Sequence, residues 1–233
     1  MKIAVINFSG NVGKSTVARH LLLPRVPGAE LIAIESLNAD EGQGQALRGR
    51  QFGELQEYLQ TVSSVVVDIG ASNVEELMAQ MQRYRGSHED FDAFVVPTVP
   101  ALKQQQDTIA TVIELNRLGV SASRLKLVFN MVEAGVTVAQ VFDPLLAFLK
   151  QQPIARVNLN CKLGANEIYG RIKGTKTDLS ALATDPTDYK ALIAQAKDTI
   201  EKLALAQKLA TRRLASGVVP ELDACFAALE LKQ

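Results

Sequence analysis

No segment restricts the fold of this chain more than Ser9-Gly10-Asn11-Val12-Gly13-Lys14-Ser15-Thr16. It follows a short apolar run, Met1-Lys2-Ile3-Ala4-Val5-Ile6-Asn7, and opens a stretch with helical spacing, so it reads as a loop joining a first strand to a first helix. Gly10 and Gly13 let backbone N–H groups curl around an anion, and the helix N-terminus adds partial positive charge. Lys14 can bridge the β- and γ-phosphates of a nucleotide, and the Ser15 hydroxyl can hold Mg2+. The pattern GxxxxGK(S/T) asks for glycine where this chain has Phe8. Nucleotide binding is therefore inferred from the loop's position between strand and helix as much as from its letters.

Apolar runs of the same kind recur at Leu31-Ile32-Ala33-Ile34, Val65-Val66-Val67, Ala93-Phe94-Val95-Val96, Leu125-Lys126-Leu127-Val128-Phe129 and Ile154-Ala155-Arg156-Val157. Between them lie helical periods such as Val74, Leu77, Met78 and Met81, or Ile109, Val112, Ile113 and Leu115. This βαβα alternation predicts an α/β fold: a mostly parallel sheet with helices on both faces and right-handed crossovers, as in P-loop NTPases. It accounts for residues 1–160 as a nucleotide-binding domain. Residues 161–233 are expected to form a loop and C-terminal helices packed on that domain. Cys161 to Thr177 reads as a loop with a short helix. A long helix is expected from Thr187, after Asp185-Pro186, with Leu192, Ile193, Ala196, Ile200 and Leu203 as its apolar stripe. Ser216-Gly217 should end it, and a short helix should run from Pro220 to Leu231. Lys190, Lys197, Lys208 and Arg212 fall in one sector of that long helix, a candidate nucleic-acid surface.

Lys plus Arg (25) equals Asp plus Glu (25), which excludes a uniformly basic, histone-like binder and makes any nucleic-acid contact regional. Aromatic residues are 5% and tryptophan is absent, against a base-stacking platform. Cys161 and Cys225 have no metal-ligand spacing. The first apolar run is far shorter than the ~20 residues of a membrane span and lacks a cleavage pattern, so a cytoplasmic protein without a transmembrane segment is expected.

The loop resembles that of the deviant Walker A ATPases, the ParA/MinD family, which reads KGGxGK(S/T). Gly10, Gly13, Lys14 and Ser15 match, the signature lysine falls on Ser9, and the second glycine falls on Asn11. The resemblance implies ATP and Mg2+ as cofactors, with the nucleotide held by Ser9, Gly10, Asn11, Val12, Gly13, Lys14, Ser15 and Thr16. Val65-Val66-Val67-Asp68-Ile69-Gly70 resembles the Walker B strand, which makes Asp68 a partner of Ser15 at the metal. Val95-Val96-Pro97-Thr98-Val99-Pro100 resembles the segment after the next strand. Val128-Phe129-Asn130 resembles the strand whose terminal asparagine contacts adenine. Asn130-Met131-Val132-Glu133 only partly matches the guanine-reading NKxD, so ATP is expected over GTP. The family's Asp-x-Asp pair falls on Glu35-Ser36-Leu37, which puts Glu35 at the first acid and leaves Asp40 or Glu41 to substitute for the second. The catalytic set so implied is Lys14, Asp68, Glu35 and Asp40, with slow basal hydrolysis because Ser9 lacks the lysine's charge and Leu37 cannot orient water.

Within the family, the divergent loop and helical tail look most like StbB-type plasmid stability proteins. This implies a homodimeric switch in plasmid stability, partition or conjugative transfer, acting on plasmid DNA or with a plasmid-encoded DNA-binding partner. Two other classes compete: a small-molecule ligase or kinase of the dethiobiotin-synthetase kind, and a nucleotide-binding adaptor without turnover. The lack of an acceptor-substrate motif disfavours the ligase, while Ser9 and Leu37 favour the adaptor.

Overall fold

The computed structural model describes residues 1–34, 49–175 and 177–231. Six strands form one parallel sheet: β1 (Lys2–Val5), β2 (Glu30–Ile34), β3 (Val65–Ile69), β4 (Ala93–Thr98), β5 (Leu125–Val132) and β6 (Lys162–Gly164), in the order β2-β3-β1-β4-β5-β6. β3 and β4 are buried along their whole length, as strands covered on both faces must be. Alternate residues feed two cores. Ala4, Val67, Phe94 and Leu127 face one, and Ile3, Val5, Val66, Val95 and Val128 face the other.

The first core is closed by α2 (Gly49–Thr61), α3 (Val74–Arg83), α4 (Leu102–Arg117) and α6 (Asp143–Gln151), through side chains such as Phe52, Leu77, Val112 and Phe142. A short α5 (Val138–Val141) precedes α6, capped by Thr137 and Gln140 in a reciprocal box. The second core is closed by α1 (Lys14–Thr16), which runs on into a π-helical turn (Val17–Leu22), and by the tail. That tail comprises α7 (Ile168–Arg171), α8 (Leu179–Ala183), α9 (Tyr189–Gln195) and α10 (Thr199–Leu229).

The sequence misplaces three features of this region. Ile154–Val157 supplies only a single bridge, Lys126 to Arg156, and the sixth strand is Lys162–Gly164, inside the stretch expected to be a loop and beyond residue 160. The helix expected from Thr187 is broken at Ala196, whose extended backbone leads to Asp198; that carboxylate caps α10 by accepting the Glu201 N–H. α10 then continues through Ser216-Gly217 and Pro220 to Leu229. An interior proline costs about 3 kcal/mol. Ala215, Val218, Leu222, Cys225 and Leu229, spaced three and four apart, are all buried on the sheet, and each large apolar side chain so buried returns about 1.5–3 kcal/mol.

The break also dissolves the expected stripe and basic sector. Ile200 is 77% and Leu203 59% exposed. Lys190 stands on α9 and Lys197 between helices, while Lys208 and Arg212 stand on α10. Arg212 is committed within the fold, donating to the Asp185 and Thr187 carbonyls (3.0 and 2.6 Å) and lying over the Tyr189 ring. Among the described residues, no helix is long and apolar enough to cross a membrane.

Candidate functional site

β1 lies between β3 and β4, where the connections turn from one side of the sheet to the other, the place at which open parallel sheets hold ligands beyond the carboxyl ends of their strands. The glycine-containing loop leaves β1 there. Asn7 anchors its start: Nδ2 donates to the Pro97 carbonyl (2.9 Å) and Thr108 Oγ1 (2.8 Å), and Oδ1 accepts the Ser9 N–H (2.8 Å). The Phe8 N–H donates to Thr111 Oγ1 at 3.1 Å. Thr108 Oγ1 in turn donates to Thr98 Oγ1 (3.0 Å), so the loop rests on a buried polar layer between β4 and α4.

Two backbone positions shape the loop. Asn11 has φ 58° and Gly13 φ 85°, both left-handed. Only glycine fits at position 13, because a Cβ there would lie 2.2 Å from Asn130 Nδ2. No side chain caps the helix that Gly13 opens, which leaves its first N–H groups without a side-chain cap at the loop.

Lys14 is 8% exposed. Its Nζ donates to the Ser9 carbonyl (2.6 Å) and the Asn7 carbonyl (3.1 Å). Burial holds its ammonium down at about 8, while the Asp68 carboxylate pulls in the opposite direction. Asp68 is buried near the end of β3 and pairs in register with Val5 of β1, which brings the acid to the loop's edge of the sheet.

Ser9 is buried, with its side chain near the Asp107 carboxylate. Asp107 is held below its usual carboxylate range by the Lys103 hydrogen bond first (2.8 Å), and also by Ser9. Ser15 is exposed and Thr16 half-buried at the helix start. Asn130, which the resemblance assigns to adenine, lies under the loop: Nδ2 donates to the Val12 carbonyl (2.9 Å) and Oδ1 accepts the Met131 N–H (2.9 Å). Glu35 and Asp40, like Ser36, Leu37 and Glu41, lie outside the described residues.

The structure thus gathers Ser9 to Thr16, Asp68 and Asn130 at one edge. Asn7, Thr108, Thr111 and Asp107 belong to the same site and were missed in the sequence. Asn7 stood out only as a polar residue ending an apolar run. The two threonines, three apart on α4, read as ordinary helix positions.

The residues fit a nucleotide and a divalent cation. The left-handed backbone at Gly13 and the Asn130 amide packed against it leave no room for a side chain there, and the buried Lys14 ammonium and Asp68 carboxylate interact at the same edge of the sheet. Mg2+ is commonly bound through one or two protein oxygens plus phosphates and water. Ser15 and Asp68 are the groups that would hold it, and the metal would neutralise phosphate charge.

No family model and no curated protein matches the chain. Among solved structures it is similar to McdA of Cyanothece in its ligand-free form (12% identity, covering 98% of this chain and 97% of that one, TM-score 0.49). It is also similar to the MinD cell division protein of Aquifex aeolicus (12% identity, 92% and 96% covered, TM-score 0.49) and to a plasmid partition protein of Borrelia burgdorferi bound to AMPPNP (13% identity, 73% and 87% covered, TM-score 0.45).

Proposed function

We propose that this chain is a ParA/MinD-type ATP-binding switch and a weak ATPase. In this proposal it acts in plasmid stability, partition or conjugative transfer, on plasmid DNA or with a DNA-binding partner, and as a homodimer. The observation that carries nucleotide binding is Lys14: a buried ammonium at a helix start, held on loop carbonyls beside Asp68. An incoming β/γ-phosphate replaces those neutral carbonyls with charged oxygens, which make stronger bonds. The plasmid role rests on the likeness of the loop and helical tail to StbB-type proteins. Ser9 through Thr16 hold the phosphates, Ser15 and Asp68 hold Mg2+, and Glu35 or Asp40 positions water.

Calorimetry with ATP and Mg2+ tests the binding. Lys14→Ala should weaken it by roughly 10- to 100-fold, the worth of a hydrogen bond to a charged group. Equal affinity in a folded Lys14→Ala protein would sink the assignment. A second reading, an adaptor without turnover, is favoured by Ser9: the residue at the signature-lysine position is neutral and buried beside Asp107. Turnover that is abolished by Lys14→Ala separates the two, and its absence with DNA and partner present selects the adaptor.

A further inference from the structure

Asn130 is 3% exposed, and both ends of its amide are engaged. Nδ2 donates to the Val12 carbonyl, one residue before the glycine that opens the helix, and Oδ1 accepts the N–H of Met131. Met131 takes the left-handed region at φ 57°, uncommon for an unbranched non-glycine residue, and that turn sets the geometry of the Oδ1 bond. The amide also sits where a Cβ on Gly13 would be. Nδ2 keeps a second N–H beyond its bond to Val12, but a side chain 3% exposed and packed against Gly13 offers almost no surface to the edge of a base.

Resting on the nucleotide-binding reading above, we propose that Asn130 is a positioning residue for the phosphate loop, clamping Val12 and Gly13 to β5 and contributing to triphosphate affinity whatever base is attached. Through Val12, the clamp fixes the orientation of the following peptide groups, whose N–H donors must converge on the phosphates. Losing it leaves those donors to reorganise on each binding event. Base discrimination then falls to other groups, and Asn130 has no part in it.

The test compares ATP, GTP and inorganic tripolyphosphate, each with Mg2+, on the wild-type chain, Asn130→Ala and Asn130→Asp. The aspartate variant is nearly isosteric and keeps the acceptor for Met131, but it replaces the donor to Val12 with a carboxylate that also repels phosphate, so the alanine variant carries the comparison of affinities. Asn130→Ala should weaken all three ligands by a similar factor, about tenfold for one lost loop hydrogen bond, and Asn130→Asp by more, with the ATP-to-GTP ratio unchanged in both. Amide hydrogen exchange on the ligand-free protein supplies a second readout, since exchange at residues 9–14 should quicken by about the same factor in both variants. A loss confined to ATP, or a shifted ATP-to-GTP ratio, would overturn the proposal, and so would unchanged exchange in the loop. If the wild-type chain binds none of the three ligands, the nucleotide-binding reading fails by itself, and exchange still decides whether Asn130 clamps the loop.

Discussion

Lys14 ties protonation to binding. In the folded, ligand-free chain its ammonium titrates at about 8, below the ordinary 10.5, because burial strips it of water. The folded chain therefore binds fewer protons than the unfolded chain between those values, so this group makes stability rise with pH across that window. Phosphates favour the charged form, so nucleotide binding should draw a proton back and weaken as pH climbs through about 8. Calorimetry at pH 8.5 in buffers of differing ionisation heat should show net proton uptake, and heats that do not vary with buffer would contradict it. Gly13 carries the loop's steric limit. Gly13→Ala should cost about 1–3 kcal/mol from the left-handed backbone alone, with more from the clash against Asn130, and should impair ATP binding. Urea unfolding reports the first effect and calorimetry the second.

The helices of the tail divide by what they bury. The C-terminal half of α10 replaces solvent on one sheet face, whereas its first turns leave Ile200 and Leu203 in water. Leu222→Ala should therefore destabilise by about 2–5 kcal/mol, the range for a truncated core leucine, and Ile200→Ala should stay within about 0.5 kcal/mol. Denaturant midpoints at constant slope would establish both, and similar losses at the two sites would mean the first turns are covered. Pro220 shows why local signals mislead in this element. Ser216-Gly217 with Pro220 three residues on marks a helix end in an isolated chain, yet the buried spacing on either side carries the helix through.

At the scale of the molecule, the proposed function makes the loop, Ser15 and Asp68 hold one ligand against the sheet, which links ligand and stability. ATP with Mg2+ at a hundred times its dissociation constant should stabilise the chain by about 2.7 kcal/mol, seen as a raised melting temperature. At the same ATP concentration Lys14→Ala should cut that stabilisation to about 0.4–1.4 kcal/mol, and chelating Mg2+ should reduce it. A melting temperature unmoved by ATP would count against the whole nucleotide reading. For DNA, Arg212 is unavailable without uncoupling α10 from the segment before α9. Of the four residues proposed for a basic face, that leaves Lys190, Lys197 and Lys208.

The α/β class, the positions of the first five strands along the chain and the loop between the first strand and helix were all legible in the sequence. Each depends on short-range pattern: β-branched runs, helical spacing, and glycines before Gly-Lys-Ser. Lys14 was legible from its place after Gly13 and Asp68 as the acid closing an apolar run, and the structure brings the two together. The sixth strand was not, because three residues at Lys162–Gly164 carry no period of their own and become a strand only when β5 offers its edge. Neither was the single helix through Pro220, which depends on buried contacts with the sheet, nor the break at Ala196, where the Asp198 cap competes with helical spacing. Asn130 belongs to the same group. Its type and place at the end of β5 suited a base contact, and only the approach of Val12 and Gly13, more than a hundred residues away in sequence, decided what its amide bonds. Local patterns are written in neighbouring residues, whereas a buried polar partner is chosen by whichever distant segment the closed fold brings within hydrogen-bonding distance.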